Sequence, residues 1–131
     1  MLNDIQSRVY SRLVNKCPSS LKNKYPDLTF TTSDRVPQNP KFPNVYVHER
    51  GSMELARDLQ GTTINAIRAS FQIEVTDNSN MTNATEIMNY VVGEMKVMRF
   101  EIVTMPEFEN TPSVYRKVAV FRRVLGDGDT L

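Results

Sequence analysis

The single histidine of this sequence is the first residue to consider as a base. His48 lies in a segment of alternating character, Val45-Tyr46-Val47-His48-Glu49, and could act as a general base if a carboxylate oriented its ring. Adjacent residues of a strand point to opposite faces, so Glu49 does not orient His48 locally. We therefore expect His48 to be a solvated or hydrogen-bonded strand residue rather than a catalytic one.

The single cysteine is the only candidate for a thiol nucleophile. Cys17 has no second cysteine with which to form a disulfide or a multi-cysteine zinc site. A catalytic thiol needs a nearby base and positive charge to lower its pKa. Lys16 supplies charge, but His48 is the only imidazole in the chain. We expect Cys17 to be a small buried or half-buried residue at the end of a helix, before Pro18.

Three further patterns resemble functional sites only weakly. Glu54 and Asp58 have the spacing of one helical face, which would suit acid–base chemistry, but a hairpin at this position would separate them. The segment Gly126-Asp127-Gly128-Asp129 resembles part of a calcium loop without the remaining ligands and the closing Glu. Methionines at helical spacing favour core packing over an adaptable binding groove; they are Met81, Met88, Met95 and Met98. The sequence predicts no catalytic residue, no metal ligand and no cofactor.

A basic stretch near the end of the chain has more than one interpretation. Arg116 and Arg122 point to one face of the predicted strand, and Lys117 and Arg123 point to the other. Nucleic-acid binding would need these charges together with aromatic residues on one surface, so this distribution argues against it. Two interpretations stay open: arginines paired with carboxylates of a neighbouring subunit, and an ordinary edge strand protected by charge.

The composition is that of one globular domain. Hydrophobic residues make up 40% and charged residues 24% of the 131 residues, close to the average for soluble domains. A formal net charge of +1 creates no overall field that would attract nucleic acid or an anionic membrane. The N-terminal residues lack the features of a signal peptide, and no apolar stretch approaches the ~20 residues that span a bilayer. We expect a soluble protein.

The clearest elements are a long strand and the helix that follows it. From Ile64 to Thr76, apolar and polar residues alternate, which predicts a strand with one buried and one solvated face. After a polar turn, an apolar stripe from Thr82 to about Met98 predicts a helix, capped by Thr82 or Asn83.

Weaker patterns predict the remaining elements. They are a first helix with the apolar stripe Leu2, Ile5, Val9 and Leu13, with Asn3 as N-cap and Pro18 as its stop, a helical turn at 19–25, strands at 28–32, 44–49, 100–105 (ended by Pro106) and 114–125, and a proline-rich loop at 36–43. Residues 50–63 are expected to form a protruding lobe or hairpin, and residues 126–131 a flexible tail. The prediction is a single α+β domain, 1–131, with a mostly antiparallel sheet and two helices packed on one face.

The order of these elements resembles the tail terminator (tail completion) proteins of long-tailed phages. The resemblance covers nearly the whole chain, and no catalytic signature contributes to it. The residues that carry it are the N-terminal amphipathic helix, Phe42-Pro43-Asn44-Val45-Tyr46-Val47, Arg68-Ala69-Ser70-Phe71-Gln72-Ile73-Glu74-Val75, the helix from Asn83 to Met98, and Val114-Tyr115-Arg116.

This resemblance implies a structural role rather than an enzymatic one. It implies a homo-oligomer, a hexameric ring in the virion that is assembled in the host cytoplasm. The ring would end the tail tube and join it to the head-side connector protein, with DNA passing through it without specific binding and no membrane involved. A ring needs heterologous interfaces, in which one patch meets a different patch of the next subunit. We predict these interface residues: Arg50, Glu54, Arg57, Asp58, Arg68, Glu74, Arg116 and Arg122.

Three other functions stay open at this point. The chain could be another neck or head–tail connector protein with the same order of elements. It could be a small enzyme or ligand-binding α+β domain that uses His48 and a pocket under the proline-rich loop. It could also be a nucleic-acid-binding module that uses the basic last strand.

Overall fold

The computed structural model describes residues 5–32, 41–51, 53–57, 64–112 and 114–126, of which 53–57 and 64–66 are described by their backbone alone. Over these ranges the chain forms three helices and a six-stranded sheet. The elements are α1 (Ile5–Asn15), α2 (Ser19–Lys24), β1 (Thr29–Thr32), β2 (Asn44–Glu49), β3 (Met53–Arg57), β4 (Ile64–Asp77), α3 (Met81–Val97), β5 (Glu101–Phe108) and β6 (Tyr115–Gly126). The predicted α+β class is confirmed. The two predicted helices are α1 and α3, and the helical turn predicted at 19–25 is α2.

Strand β4 is the centre of the sheet. The strand order is β1-β2-β4-β6-β5, and every pairing is antiparallel except β1 with β2. β6 pairs along one edge of β4 from Ala66 to Asp77. β2 pairs with the second half of the other edge, and β3 pairs with its first half. The predicted lobe therefore includes a β3–β4 hairpin, and its outer residues, 58–63, lie outside the described residues. So do Asn3, residues 36–40 of the proline-rich loop and residues 127–131 of the predicted tail, whose first residue, Gly126, is instead the last residue of β6.

The helices pack on one face of the sheet because β4 and its neighbours alternate as predicted. On β4, every second residue from Ile67 to Val75 is buried, and the residues between them point away. The helices contribute the facing half of the core, listed here for α1 and α3: Ile5, Val9, Leu13, Ala84, Ile87, Met88, Val91 and Met95. Of the methionines predicted to pack in the core, Met81 is the exception: as the first residue of α3 it is exposed.

Tyrosine hydroxyls link the three helices to one another. The Tyr90 O–H on α3 donates a hydrogen bond of 2.6 Å to the carbonyl oxygen of Leu13 on α1. The Tyr25 O–H, directly after α2, lies 3.0 Å from Glu86 Oε2 on α3. Each tyrosine thus has an apolar ring in contact with the core and a satisfied polar end.

Both ends of α3 have recognisable caps. The predicted caps Thr82 and Asn83 are wrong, because Asn80 begins the helix and its Oδ1 accepts the N–H of Asn83 at 2.9 Å. At the other end, Arg99 has a φ of 66°. The N–H of Arg99 bonds the Lys96 carbonyl and that of Phe100 bonds the Met95 carbonyl, both at 2.9 Å. This pattern is a Schellman motif, in which glycine usually takes the left-handed position.

Strand β5 continues through the residue that was expected to end it. The sequence predicted a strand at 100–105 ended by Pro106, but β5 extends to Phe108. Proline removes a main-chain donor, which is tolerated on an edge strand or at an irregular pairing. β5 is the last strand of the described sheet on this side, and its register with β6 shifts between Thr104 and Glu107. Within the described ranges, no helix is both long enough and apolar enough to cross a bilayer.

Candidate functional site

The face of the sheet opposite the helices, called here the helix-free face, carries polar and apolar side chains that folding leaves accessible. Val103 and Met105 on β5 and Val124 on β6 are 51%, 69% and 55% exposed. Val118 and Val120 of β6 are nearly buried, yet they do not belong to the core cluster under the helices. An apolar strip therefore runs along this face between charged residues.

A row of side chains crosses this face over four neighbouring strands. The Arg50 N–H bonds the Ser70 carbonyl oxygen at 2.8 Å, so Arg50 lies beside Ser70 at the end of β2. Ser70 pairs with Arg122 of β6, and Arg122 pairs with Glu101 of β5. Since neighbouring strands lie ~4.8 Å apart, the order Arg50, Ser70, Arg122, Glu101 gives two guanidinium groups separated by one short hydroxyl side chain.

A depression of about 300 Å³ lies at this row. It forms because Ser70 is short whereas its neighbours Arg50, Arg68 and Arg122 are long. The remaining lining comes from Gly51 and from two apolar residues, Val103 and Val120. At Gly51 the φ of +64° is a left-handed conformation that favours glycine, and it turns the chain from β2 towards β3.

The positive charges of the depression suit a carboxylate or a phosphate group. Guanidinium groups recognise carboxylates and phosphates through two parallel N–H donors. The carboxylate of Glu101 approaches Arg122 with an Oε2–Nε distance of 3.4 Å, and the two side chains are 73% and 46% exposed. Such an exposed pair contributes little to stability. The depression can therefore exchange this internal carboxylate for an external one at small cost.

The opposite end of the helix-free face is more acidic. Glu74 on β4 forms an ion pair with Arg116 on β6 and also accepts a hydrogen bond from Gln72 at 3.3 Å. Glu109, just after β5, lies 3.8 Å from the same guanidinium. Glu107 is exposed and forms no ion pair with another described residue.

The predicted interface residues are thus divided by the structure. Arg50, Arg68 and Arg122 meet at the depression, whereas Glu74 and Arg116 pair with each other within the chain. The side chains of the other three predicted residues lie outside the described residues: Glu54, Arg57 and Asp58. Contact of any of the eight with a neighbouring subunit stays a prediction.

His48 also lies on the helix-free face, opposite Gln72. Its ring stacks on that of Tyr46, with centroids 5.9 Å apart and an angle of 8° between the planes. Its Nδ1 is buried and has no hydrogen-bond partner among the described residues. Glu49 pairs with Phe71, which is buried on the helix side, and this fits the opposite orientation predicted for Glu49. No carboxylate of the residues that the structure describes bonds the imidazole.

Cys17 is buried between α1 and α2. Burial raises the pKa of its thiol, and the charge of Lys22 opposes this shift only in part. A thiol with a raised pKa is mostly protonated at neutral pH and is therefore a poor nucleophile. Among the described residues, no three His, Cys, Asp or Glu side chains are grouped so that they could hold a metal ion.

The basic residues of β6 divide between the two faces, as the alternation predicted. Lys117 lies on the helix side, 4.8 Å from the centre of the Phe108 ring. Arg123 is buried, and its Nη1 donates a hydrogen bond of 2.9 Å to the carbonyl oxygen of Met98. Two of the four charges are therefore used in packing α3 and β5 against β6, while Arg116 and Arg122 remain on the helix-free face.

Sequence reasoning missed the residues that shape the depression. Ser70, Gly51, Val103 and Val120 come from four separate elements or turns and meet only through strand register. The one local signal was a short serine between longer polar residues on the solvated face of β4. A scan of the sequence against models of protein families gave no match, and a search among curated proteins gave none either.

Proposed function

We propose that this chain is a structural virion protein of a long-tailed phage. Its copies form a hexameric ring that ends the tail tube and joins the tail to the head-side connector protein. The partners are then further copies of the chain, the tail tube protein and the connector, with DNA passing through the ring without specific contacts. The proposal starts from the resemblance in element order described above.

The observation that carries the proposal is the helix-free face. Val103, Met105 and Val124 are each more than half exposed, and they lie beside the arginine-lined depression. Apolar residues gathered next to arginines are typical of surfaces that bind other proteins. Because the described helices pack on the other face of the sheet, these exposed residues are available for assembly.

The geometry at His48 supports an enzyme less well. A general base needs a substrate site within hydrogen-bond reach and, in most cases, a group that orients it. His48 instead stacks on Tyr46, and its Nδ1 has no partner among the described residues. The proline-rich loop under which a pocket was expected lies largely outside the described residues, at 36–40.

A second candidate function is favoured by the depression itself. Three arginines, a serine and two valines around about 300 Å³ could hold a small carboxylate or phosphate ligand. The chain would then be a ligand-binding α+β domain. Titration calorimetry with citrate and inorganic phosphate tests this function, because a ring protein with no small ligand shows no saturable heat. The third candidate function is that of another head–tail connector protein of the neck, which would use the same surfaces.

The proposed role is tested by electron microscopy of phage particles assembled without this chain. We expect tails of abnormal length that do not join heads, and we expect wild-type protein supplied in trans to restore normal particles. The His48→Ala variant should restore them equally well, since assembly does not use the imidazole. Tails of normal length joined to heads in the absence of the chain would contradict the proposal, and a folded but inactive His48→Ala variant would favour the enzyme.

A further inference from the structure

We infer that the arginine-lined depression binds the carboxylates of Glu107 and Glu109 from a second copy of the chain. This inference rests on the proposed function, because it names the surfaces through which copies of a ring protein would meet. The end of the helix-free face that contains Arg50, Arg68 and Arg122 is called here the acceptor end. The end that contains Glu107 and Glu109 is called the donor end.

The two ends of the helix-free face carry opposite charges. The acceptor end contains Arg50, Arg68 and Arg122, and Arg50 forms no ion pair with another described residue. The donor end contains Glu107 and Glu109, both exposed. Glu109 makes only a long contact of 3.8 Å with Arg116, whose closer partner is Glu74. The two ends are therefore electrostatically complementary, which favours association in one orientation.

The two ends are separated from each other along the sheet. Glu107 pairs with Val118, and the N–H of Glu109 bonds the Arg116 carbonyl, so both lie four to six residues along β6 from Arg122. At ~3.3 Å per residue this places the two ends roughly 13–20 Å apart on one sheet. The internal partner of Arg122 is Glu101 rather than either of these glutamates. When one patch of a subunit meets a different patch of the next, the contact is head-to-tail, and a ring forms if the rotation closes.

The apolar strip would form the centre of this contact. Val103 and Met105 lie on β5 between the two ends and are exposed. A partner loop that brings carboxylates to the arginines would cover them and remove water from the charge pairs. A contact with an apolar centre and a charged rim follows the usual anatomy of protein interfaces.

Charge reversal tests the inference by sedimentation velocity over a concentration series. The acceptor variant carries Arg50→Glu and Arg122→Glu, and the donor variant carries Glu107→Lys and Glu109→Lys. We expect the wild-type chain to assemble and each variant alone to assemble roughly tenfold more weakly or less. An equimolar mixture should assemble again, because each reversed acceptor can then meet a reversed donor of opposite charge, and each native acceptor can meet a native donor.

The matched control places the same change of charge elsewhere. Lys22 on α2 and Lys96 on α3 are exposed on the helix side, so the Lys22→Glu, Lys96→Glu variant should assemble like the wild type. A second, milder variant is Glu101→Gln, which removes the internal carboxylate from Arg122 without adding charge to the depression. It should strengthen assembly, whereas simple damage to the surface would weaken it.

The outcomes separate this inference from the proposed function. Wild-type assembly that neither reversal weakens overturns the inference and leaves the ring proposal intact. Folded variants that fail to assemble when mixed overturn it as well. A wild-type chain that stays monomeric at the highest concentration overturns mutual recognition of these two patches, while the role in the tail is decided separately by the tail-length experiment.

Discussion

The main-chain N–H of Arg50 donates a hydrogen bond of 2.8 Å to the carbonyl oxygen of Ser70. This bond continues the pairing of β2 with β4 beyond Glu49, the last residue of β2. It places Arg50 beside Ser70 and two strands away from Arg122, with β4 between the two arginines. The depression on the helix-free face depends on this arrangement, because a larger residue at position 70 would fill the space between the two guanidinium groups.

Filling the depression should block assembly without unfolding the domain. Ser70 is half-buried on the helix-free face, and no described side chain hydrogen-bonds its hydroxyl. We expect Ser70→Leu to keep a free energy of unfolding within about 0.5 kcal/mol of wild type but to weaken self-association roughly tenfold. Ser70→Ala is the control and should associate normally. Equal association of the leucine and alanine variants in sedimentation velocity would show that the depression is not a contact.

The left-handed residue that ends α3 gives a test of the fold. Arg99 has a φ of 66°, and non-glycine residues pay about 1–2 kcal/mol in this conformation. Arg99→Gly should therefore raise the free energy of unfolding by about 1 kcal/mol, while Arg99→Ala should leave it nearly unchanged. Urea denaturation measures both. A glycine variant no more stable than the alanine variant would argue against the Schellman motif.

Two adjacent arginines of β6 should differ sharply in their contribution to stability. Arg123 is buried and bonds the Met98 carbonyl at 2.9 Å, whereas its neighbour Arg122 is exposed. Replacing Arg123 by Met leaves that buried carbonyl without this donor and should cost about 2–3 kcal/mol. Arg122→Met should cost less than about 0.5 kcal/mol. Thermal and urea unfolding compare the two, and similar losses would contradict the buried position of Arg123.

The hydroxyl of Tyr90 should make part of the stability depend on alkaline pH. Burial raises the pKa of Tyr90, whose O–H bonds the Leu13 carbonyl. The unfolded chain ionises this phenol above pH ~10 while the folded chain keeps it neutral, so the stability that it contributes is present below that pH and is lost as pH rises.

Tyr90→Phe should therefore be less stable than wild type by about 1 kcal/mol at pH 8, and the difference should shrink as pH rises above ~10. The pKa of Tyr25 is also raised, first by burial, but that group is present in both proteins and cancels in the comparison. Urea unfolding at several pH values measures the difference. A constant gap between the two proteins across this range would contradict a buried Tyr90 hydroxyl.

The elements that sequence predicted correctly are those with a repeating local pattern. Strand β4 alternates from Ile67 to Thr76, since each buried residue from Ile67 to Val75 is followed by one that faces away. The stripe of α3 and the division of the β6 charges between two faces follow from the same periodicities. These features needed no knowledge of which strand pairs with which.

The features that were missed depend on tertiary context. Pro106 was expected to end a strand, but an irregular edge pairing tolerates its missing N–H. Asn80 rather than Thr82 or Asn83 caps α3, because the turn after Asp77 places its side chain at the first helical turn. The row from Arg50 to Glu101 joins residues from distant parts of the chain, so only the strand register brings it together.

The most direct test of head-to-tail assembly through the helix-free face is a cross-linking ladder. Ser70→Cys labels the depression, and Pro112→Cys labels the exposed loop after β5; the native Cys17 is buried. With a bis-maleimide cross-linker, the chain that carries both substitutions should give a denaturing-gel ladder that ends at six copies. Each single variant should give no ladder. Dimers from either single variant, or assembled double variant that gives no ladder, would contradict the account.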